Sequence, residues 1–161
     1  MNETAAPIID VVIPVYNATE LTKRCIDSVV THLGSSIRTV HIQDDASGAE
    51  TRAMLDNLSY PQLHIYHAPE NQGYGKSVNE AVARSNADWV LVLNSDIEVL
   101  DNFLPLLCGA LAADSKLAVI SPMEGGNSSF ICATRTPCSW LKYLTRKSRR
   151  NWVEPISTTS H

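Results

Sequence analysis

The sequence predicts an α/β protein, a three-layer sandwich whose mostly parallel central sheet is covered by helices on both faces. Three features predict it. Short β-branched runs alternate with stretches of about ten to fifteen residues that carry a helical apolar stripe. Runs such as Trp89–Leu93 (WVLVL) are apolar throughout, as in a sheet with no solvated face. Polar turns rich in Asn, Asp and Gly follow the runs. Right-handed crossovers then bring the ends of sequence-distant strands to one rim.

Ile8–Pro14 (IIDVVIP) reads as the first strand and stops at a proline. Asn17-Ala-Thr-Glu20 has the form of a capping box that opens a helix. Leu21, Cys25, Val29 and Leu33 recur every fourth residue as its predicted apolar stripe, and Gly34 is placed to end it. Arg38–Gln43 is the second predicted strand, followed by the acidic turn Asp44-Asp45-Ala46. A second capping box, Ser47-Gly-Ala-Glu50, is expected to start a helix that buries Ala53, Met54 and Leu58. Leu63–His67 is the third strand, and the loop Ala68–Gly75 leads to a helix over Lys76–Ser85 with Val78, Ala81 and Val82 on one side. Asn94-Ser95-Asp96 directly follows the strand Trp89–Leu93. Asp101 is expected to cap a helix running through Ala113, with Pro105 in the first turn, where its missing N–H costs little. Leu117–Ile120 is the fifth predicted strand.

With 161 residues, 44% hydrophobic and 19% charged, the chain suits one compact domain and excludes collagen-like, disordered and disulfide-scaffold classes. No apolar run approaches the ~20 residues that span a bilayer. The N-terminus lacks the basic start of a secretory signal, so a cytoplasmic protein is expected. Residues 1–130 carry 7 Lys/Arg against 16 Asp/Glu, a balance of −9 that argues against nucleic-acid partners. Residues 131–161 carry 6 against 1, a balance of +5. The run Lys142–Arg150 is thus a candidate contact to anionic lipid at the inner membrane face, against the plainer reading of a solvated segment. Cys25, Cys108, Cys132 and Cys138 form no CxxC pair, which fits free thiols in a reducing compartment.

In parallel sheets, ligands bind at the carboxyl ends of the strands. Tyr16 and Asn17 follow the first strand, Asp44 and Asp45 the second, Asn71, Gly73 and Gly75 the third, and Asn94, Ser95 and Asp96 the fourth. Carboxylates on such a rim can accept from ribose hydroxyls or base N–H groups, or bind a hard divalent cation. Two other patterns weaken on inspection. Gly75-Lys76-Ser77 ends as a phosphate-binding loop does, but Glu70 stands where that motif needs its first glycine. No GxGxxG follows the first strand, which disfavours a nicotinamide or flavin site. His32, His41, His64, His67 and His161 show no metal-ligand spacing, and His41 and His64 are expected as strand residues.

Taken in order, VVIPVYN (Val11–Asn17), DDAS (Asp44–Ser47), NQGYGKSVN (Asn71–Asn79) and LNSDIEV (Leu93–Val99) resemble the family 2 glycosyltransferases with the Rossmann-like GT-A fold. The resemblance spans roughly residues 8–125. It implies a nucleotide-diphosphate sugar donor, inverting transfer to an acceptor hydroxyl, and a divalent cation, Mg²⁺ or Mn²⁺. By position it assigns donor binding to Pro14, Tyr16, Asn17, Asp45, Asn71, Gly73, Asn79, Asn94 and Ser95, with Tyr16 against the base and Asp45 on base or ribose. Asn94-Ser95-Asp96 occupies the place of the DxD motif, with Asp96 as the metal ligand and Asn94 replacing the first acid. A glycan or lipid-linked acceptor in polysaccharide assembly is the implied partner. Residues 1–125 are then the nucleotide-sugar domain, and residues 126–161 a partial acceptor-side segment with the basic tail. Glu124 and Glu154 are the sole acids after Asp114, and neither stands in a recognisable base motif. The fold is therefore expected to be incomplete at the C-terminus, with the general base beyond His161. A non-catalytic nucleotide-binding module and a P-loop-type phosphotransferase are the alternatives.

Overall fold

The computed structural model describes residues 7–113, 119–120 and 132–135. Strands β1 (Ile9–Val15), β2 (Thr39–Asp44), β3 (Leu63–His67) and β4 (Trp89–Val92) alternate with helices α1 (Thr19–Leu33), α2 (Ala49–Asp56) and α3 (Tyr74–Arg84). Helix α4 (Leu104–Ala113) and the short strands β5 (Val119–Ile120) and β6 (Cys132–Arg135) follow. The sheet order is β3-β2-β1-β4-β6-β5. The first four strands are parallel, as predicted, and β6 runs antiparallel to both β4 and β5. The fifth predicted strand thus has a different place from that of a further parallel neighbour: among the described residues Val119–Ile120 pairs with β6 alone, and Leu117 lies outside them. Glu124, the run Lys142–Arg150 and Glu154 also lie outside them.

Strand β1 is buried along its whole length, and its alternation divides the core. Ile9, Val11, Ile13 and Val15 face one cluster with Cys25, Ile26, Val29 and Leu33 of α1, Leu55 of α2 and Leu104 of α4. Val12 joins Val90, Val92, Val78 and Ala81 on the α3 face. This is the predicted three-layer arrangement, and each buried Val or Ile contributes about 1.5–3 kcal/mol.

Several local expectations are corrected. Leu21 is exposed, and Thr22 and Ile26 complete the buried face of α1 instead. In α2 the buried residues are Thr51 and Leu55, Ala53 faces solvent, and Leu58 packs from beyond the helix end. Neither capping box forms: Ala18 precedes α1 with φ 53°, Gly48 precedes α2, and neither helix has a side-chain cap. The two loops tie to each other instead. Asn17 N–H donates to Ser47 Oγ (2.8 Å), and Gly48 N–H donates to Asn17 Oδ1 (2.9 Å). Asn102, rather than Asp101, accepts from the Leu104 N–H at the start of α4. Gly34 follows α1 with φ −52°, so its value there is room, since a Cβ would stand 2.4 Å from the Val30 carbonyl oxygen.

Beneath α3 lies a buried charge. Asp10 receives Arg38 Nε (3.0 Å) and Nη2 (2.6 Å) and the Ser85 hydroxyl (2.6 Å), with His41 Nε2 at 3.4 Å. Burial alone would raise its pKa, but these partners together hold it below the ordinary 3.8. Asp44, buried and bonded to His67 and Ser47, is lowered for the same balance of reasons. A carboxylate depressed in the folded state contributes stability above its unfolded value and loses it as pH falls through the folded value. Denaturant-measured stability is therefore expected to decline as pH drops below 3.8. Asp10→Asn should cost about 1–3 kcal/mol at neutral pH and make that acid decline shallower. An acid limb identical in the variant would show that Asp10 does not carry it.

Candidate functional site

The carboxyl ends of β1, β2 and β4 and the start of α3 enclose a cleft of about 580 Å³. Pro14, Tyr16, Asp45, Asn71, Gly73, Asn94, Ser95 and Asp96 all line it, so the topology brings most of the predicted residues together. Asn79 is not among its lining residues. Asn17 is turned into a neighbouring groove of about 550 Å³ between the starts of α1 and α2, where its loop-tying bonds hold it.

The β1 end supplies an apolar wall: Pro14, Val15, and Tyr16 at 56% exposure, with Ala18 and Leu21 from the start of α1. Asn17 and Ala18 are both left-handed, with φ 59° and 53°, which turns the chain sharply away after Tyr16.

Asp44, the last residue of β2, and Asp45 just after it have separate tasks. Asp44 is fully buried; its Oδ1 accepts the Ser47 N–H (2.9 Å), and its Oδ2 lies 2.7 Å from His67 Nδ1. His67 Nε2 reaches Asp56 at 3.1 Å. Asp45, 4% exposed, accepts the Gln72 N–H on Oδ1 and the Gly73 N–H on Oδ2, each at 2.8 Å. It therefore pins the loop before α3 and places a negative charge at that helix's N-terminus. Gly73 makes the turn possible at φ +86°, ψ 157°, a region that side-chain-bearing residues avoid.

This arrangement removes the phosphate-loop reading. The α3 N-terminus that would cradle a phosphate already holds the Asp45 carboxylate. Lys76 is 61% exposed and lies 4.0 Å from Glu80 on the outer side of the helix.

After β4 the chain makes a tight turn, closed by the Ile97 N–H on the Asn94 carbonyl (3.3 Å). Asp96 stands exposed on this turn, while Ile97 and Val99 are buried behind it. The Tyr74 hydroxyl donates to Asn94 Oδ1 (3.0 Å), linking α3 to the turn across the cleft. Tyr74 and Ser77 line the cleft but were not expected there. The predicted helix start at Lys76 left Tyr74 in a loop; moving it to Tyr74 puts both residues one turn apart on one face. The Ser77 hydroxyl is buried with no hydrogen-bond partner among the described residues.

The family model for glycosyl transferase family 2 matches residues 10–160. The chain belongs to glycosyl transferase family 2. Among curated relatives, it is 29% identical over 133 residues to an N-acetylglucosaminyltransferase of Rhizobium sp. (strain N33), covering 80% of this chain and 30% of that protein. It is 27% identical over 114 residues to the succinoglycan biosynthesis protein ExoO of Rhizobium meliloti (strain 1021), covering 70% and 32%. The chain thus spans about a third of the length of these relatives. In fold it is similar to the mannosyltransferase PcManGT from Pyrobaculum calidifontis, solved with GDP-Man and Mn²⁺ (TM-score 0.71, 18% identity, 88% of this chain and 47% of that one). It is also similar to S. aureus TarS 1–349 (TM-score 0.58, 21% identity, 75% and 37%).

In this family 2 chain the cation question turns on the 94–96 turn. Among the described residues no group of three or more His, Cys, Asp or Glu side chains is placed to hold a metal. Asp96, Ser95 and Asn94 offer one carboxylate, one hydroxyl and one amide oxygen at the cleft. An all-oxygen set with one carboxylate fits Mg²⁺ or Mn²⁺ when phosphate and water complete the sphere.

Asp45→Ala is expected to leave the Gln72 and Gly73 N–H groups without their acceptor and to cost about 1–3 kcal/mol. Amide hydrogen exchange at those two residues should accelerate in the variant. Unchanged protection there would mean that the carboxylate does not hold the loop.

Proposed function

We propose that this chain forms the nucleotide-sugar-binding part of an inverting, divalent-cation-dependent glycosyltransferase that transfers a sugar to a glycan or lipid-linked hydroxyl. The observation that carries the reading is the convergence of an aromatic wall at Tyr16, a braced loop at Asp45 and Gly73, and an exposed carboxylate at Asp96 on one cleft. The presence of GDP-Man and Mn²⁺ in the similarly folded mannosyltransferase supports it. Residues 1–125 would carry the donor site and residues 126–161 the beginning of the acceptor side.

In this reading the base stacks on Tyr16, whose exposed ring leaves a face open to it. Asp45 acts first through the loop it braces, and its remaining lone pairs face base or ribose. Asn71 and Gly73 shape the same end of the cleft. Asp96, with Asn94 and Ser95 beside it, would hold Mg²⁺ or Mn²⁺. A bound cation there supplies charge neutralisation for the leaving diphosphate. The Tyr74 hydroxyl orients the Asn94 amide so that its oxygen stays on the cleft side. Among the described residues Asp45 and Asp96 are the acids lining the cleft, and both have other work. The carboxylate that takes the acceptor proton is therefore assigned to the acceptor side.

Asn94 in place of an acid favours a second reading, a nucleotide-binding module without transfer, because the amide brings no charge to the cation. Calorimetry with UDP, GDP and dTDP, with and without Mn²⁺, tests both. At least one nucleotide is expected to bind, more tightly with Mn²⁺, and Asp96→Ala should remove the Mn²⁺ increment, about tenfold or more in affinity. Absence of binding by the folded protein would refute the donor site. Binding indifferent to Mn²⁺ and to Asp96 would favour the second reading.

A further inference from the structure

Two residues on the inner side of α1 stand outside the chemistry just described, yet both bond to the segment that carries Asp96. The Cys25 S–H donates to the Asn94 carbonyl oxygen at 3.4 Å, where the turn begins. The Val99 N–H donates to Ser28 Oγ at 3.0 Å, where the segment leaves the turn. The Ser28 hydroxyl in turn donates to the Cys25 carbonyl oxygen at 2.8 Å. That bond fixes the hydroxyl hydrogen on one side and directs an oxygen lone pair at Val99. One helical turn of α1 thus grips both ends of a six-residue segment, Asn94–Val99.

The grip matters because of what surrounds it. Ile97 and Val99 are anchored in the core beside Cys25 and Val29. Their backbone polar groups leave water with them and need internal partners. The closing bond of the turn is long, at 3.3 Å, and by itself is a weak restraint. Asp96 makes no side-chain hydrogen bond among the described residues, so the backbone of this turn sets where its carboxylate points. Burial pushes the Cys25 thiol up to about 12, against the Ile97 amide, and the nearby Asp96 charge adds to the rise. A thiol so hard to ionise is a hydrogen-bond donor rather than a nucleophile.

We infer that Ser28 and Cys25 are positioning residues that hold the Asn94–Val99 segment in the geometry that lets Asp96 take a divalent cation; this rests on the proposed cation site. Supporting shells of this kind change metal affinity when removed, without touching the metal. A merely structural role would lower stability and leave metal affinity alone.

The experiment titrates Mn²⁺ into the protein saturated with whichever of UDP, GDP or dTDP binds tightest, for wild type, Ser28→Ala and Ser28→Thr. Ser28→Ala is expected to weaken Mn²⁺ affinity about tenfold while nucleotide affinity without metal stays at the wild-type value. Ser28→Thr keeps a hydroxyl able to reach the carbonyl three residues back and should restore Mn²⁺ affinity. If Ser28→Ala does not fold, the pair Cys25→Ala and Cys25→Ser reads the other end of the grip, with loss in the first and recovery in the second. A folded variant lacking the hydroxyl or thiol that binds Mn²⁺ as wild type does overturns the inference. So does a parallel loss of metal-free nucleotide affinity, which would mark general loosening. A wild-type protein with no Mn²⁺ response overturns the proposed function itself, and the inference with it.

Discussion

Every peptide group of β1 is buried, and each must find its hydrogen bond in a neighbouring strand. Strand β1 satisfies this by pairing with β2 over Asp10–Val15 and with β4 over Ile9–Val12, both parallel. A slip of one residue would turn Asp10 towards α1 and strip it of Arg38, Ser85 and His41. With unpaired buried groups costing about 1–3 kcal/mol each, the register is strongly specified. Parallel pairing in that register sends the ends of β1, β2 and β4 to the same rim. Tyr16, Asp45 and Asn94–Asp96 share one cleft for that reason.

At that rim, environment decides what each acid can do. Asp44 is fully buried and spoken for by His67 and Ser47. Asp45 is nearly buried and committed to two backbone amides, so it shapes the loop before α3. Asp96 is exposed on a turn whose backbone, rather than its side chain, is restrained. Similar carboxylates at or just beyond strand ends therefore divide into a strut, a brace and an exposed group free to meet solvent. The same division explains why α3 offers no phosphate cradle: Asp45 already occupies the pole where the anion would sit.

The features legible in the sequence are those carried by local pattern. Apolar runs such as Val90–Leu93 can only be buried, and their alternation with helical stripes predicts the three layers and the rim. What escaped prediction depends on partners far along the chain. Asn17 and Ser47 each look like a helix cap, but their 30-residue separation closes in the fold and they bind one another's loops. Leu21 fits the fourfold spacing of α1 yet lies at the cleft, where no core covers it. Tyr74 reads as loop when the helix is started at Lys76, two residues late, and Ser77, inside the predicted helix, carries no pattern that marks it for the cleft. Val119–Ile120 lies within the fifth predicted strand, but β6 and its antiparallel pairing carry no periodic signal, because a four-residue strand is too short to show one. The site's chemistry came from ordered motifs and resemblance, and the placement of Tyr16, Asp45 and Asp96 on one cleft came from topology.

In the proposed function these three strand ends form a single donor site, with the cation at the 94–96 turn. Amide NMR of the isotope-labelled protein with a binding nucleoside diphosphate, first with Mg²⁺ and then with traces of Mn²⁺, tests it directly. Mg²⁺-complex shifts are expected at Tyr16, Gln72 and Gly73, with paramagnetic broadening strongest at Asn94–Ile97. Broadening centred instead on the groove at Glu20 and Glu50, with Asn94–Ile97 unaffected, would contradict it.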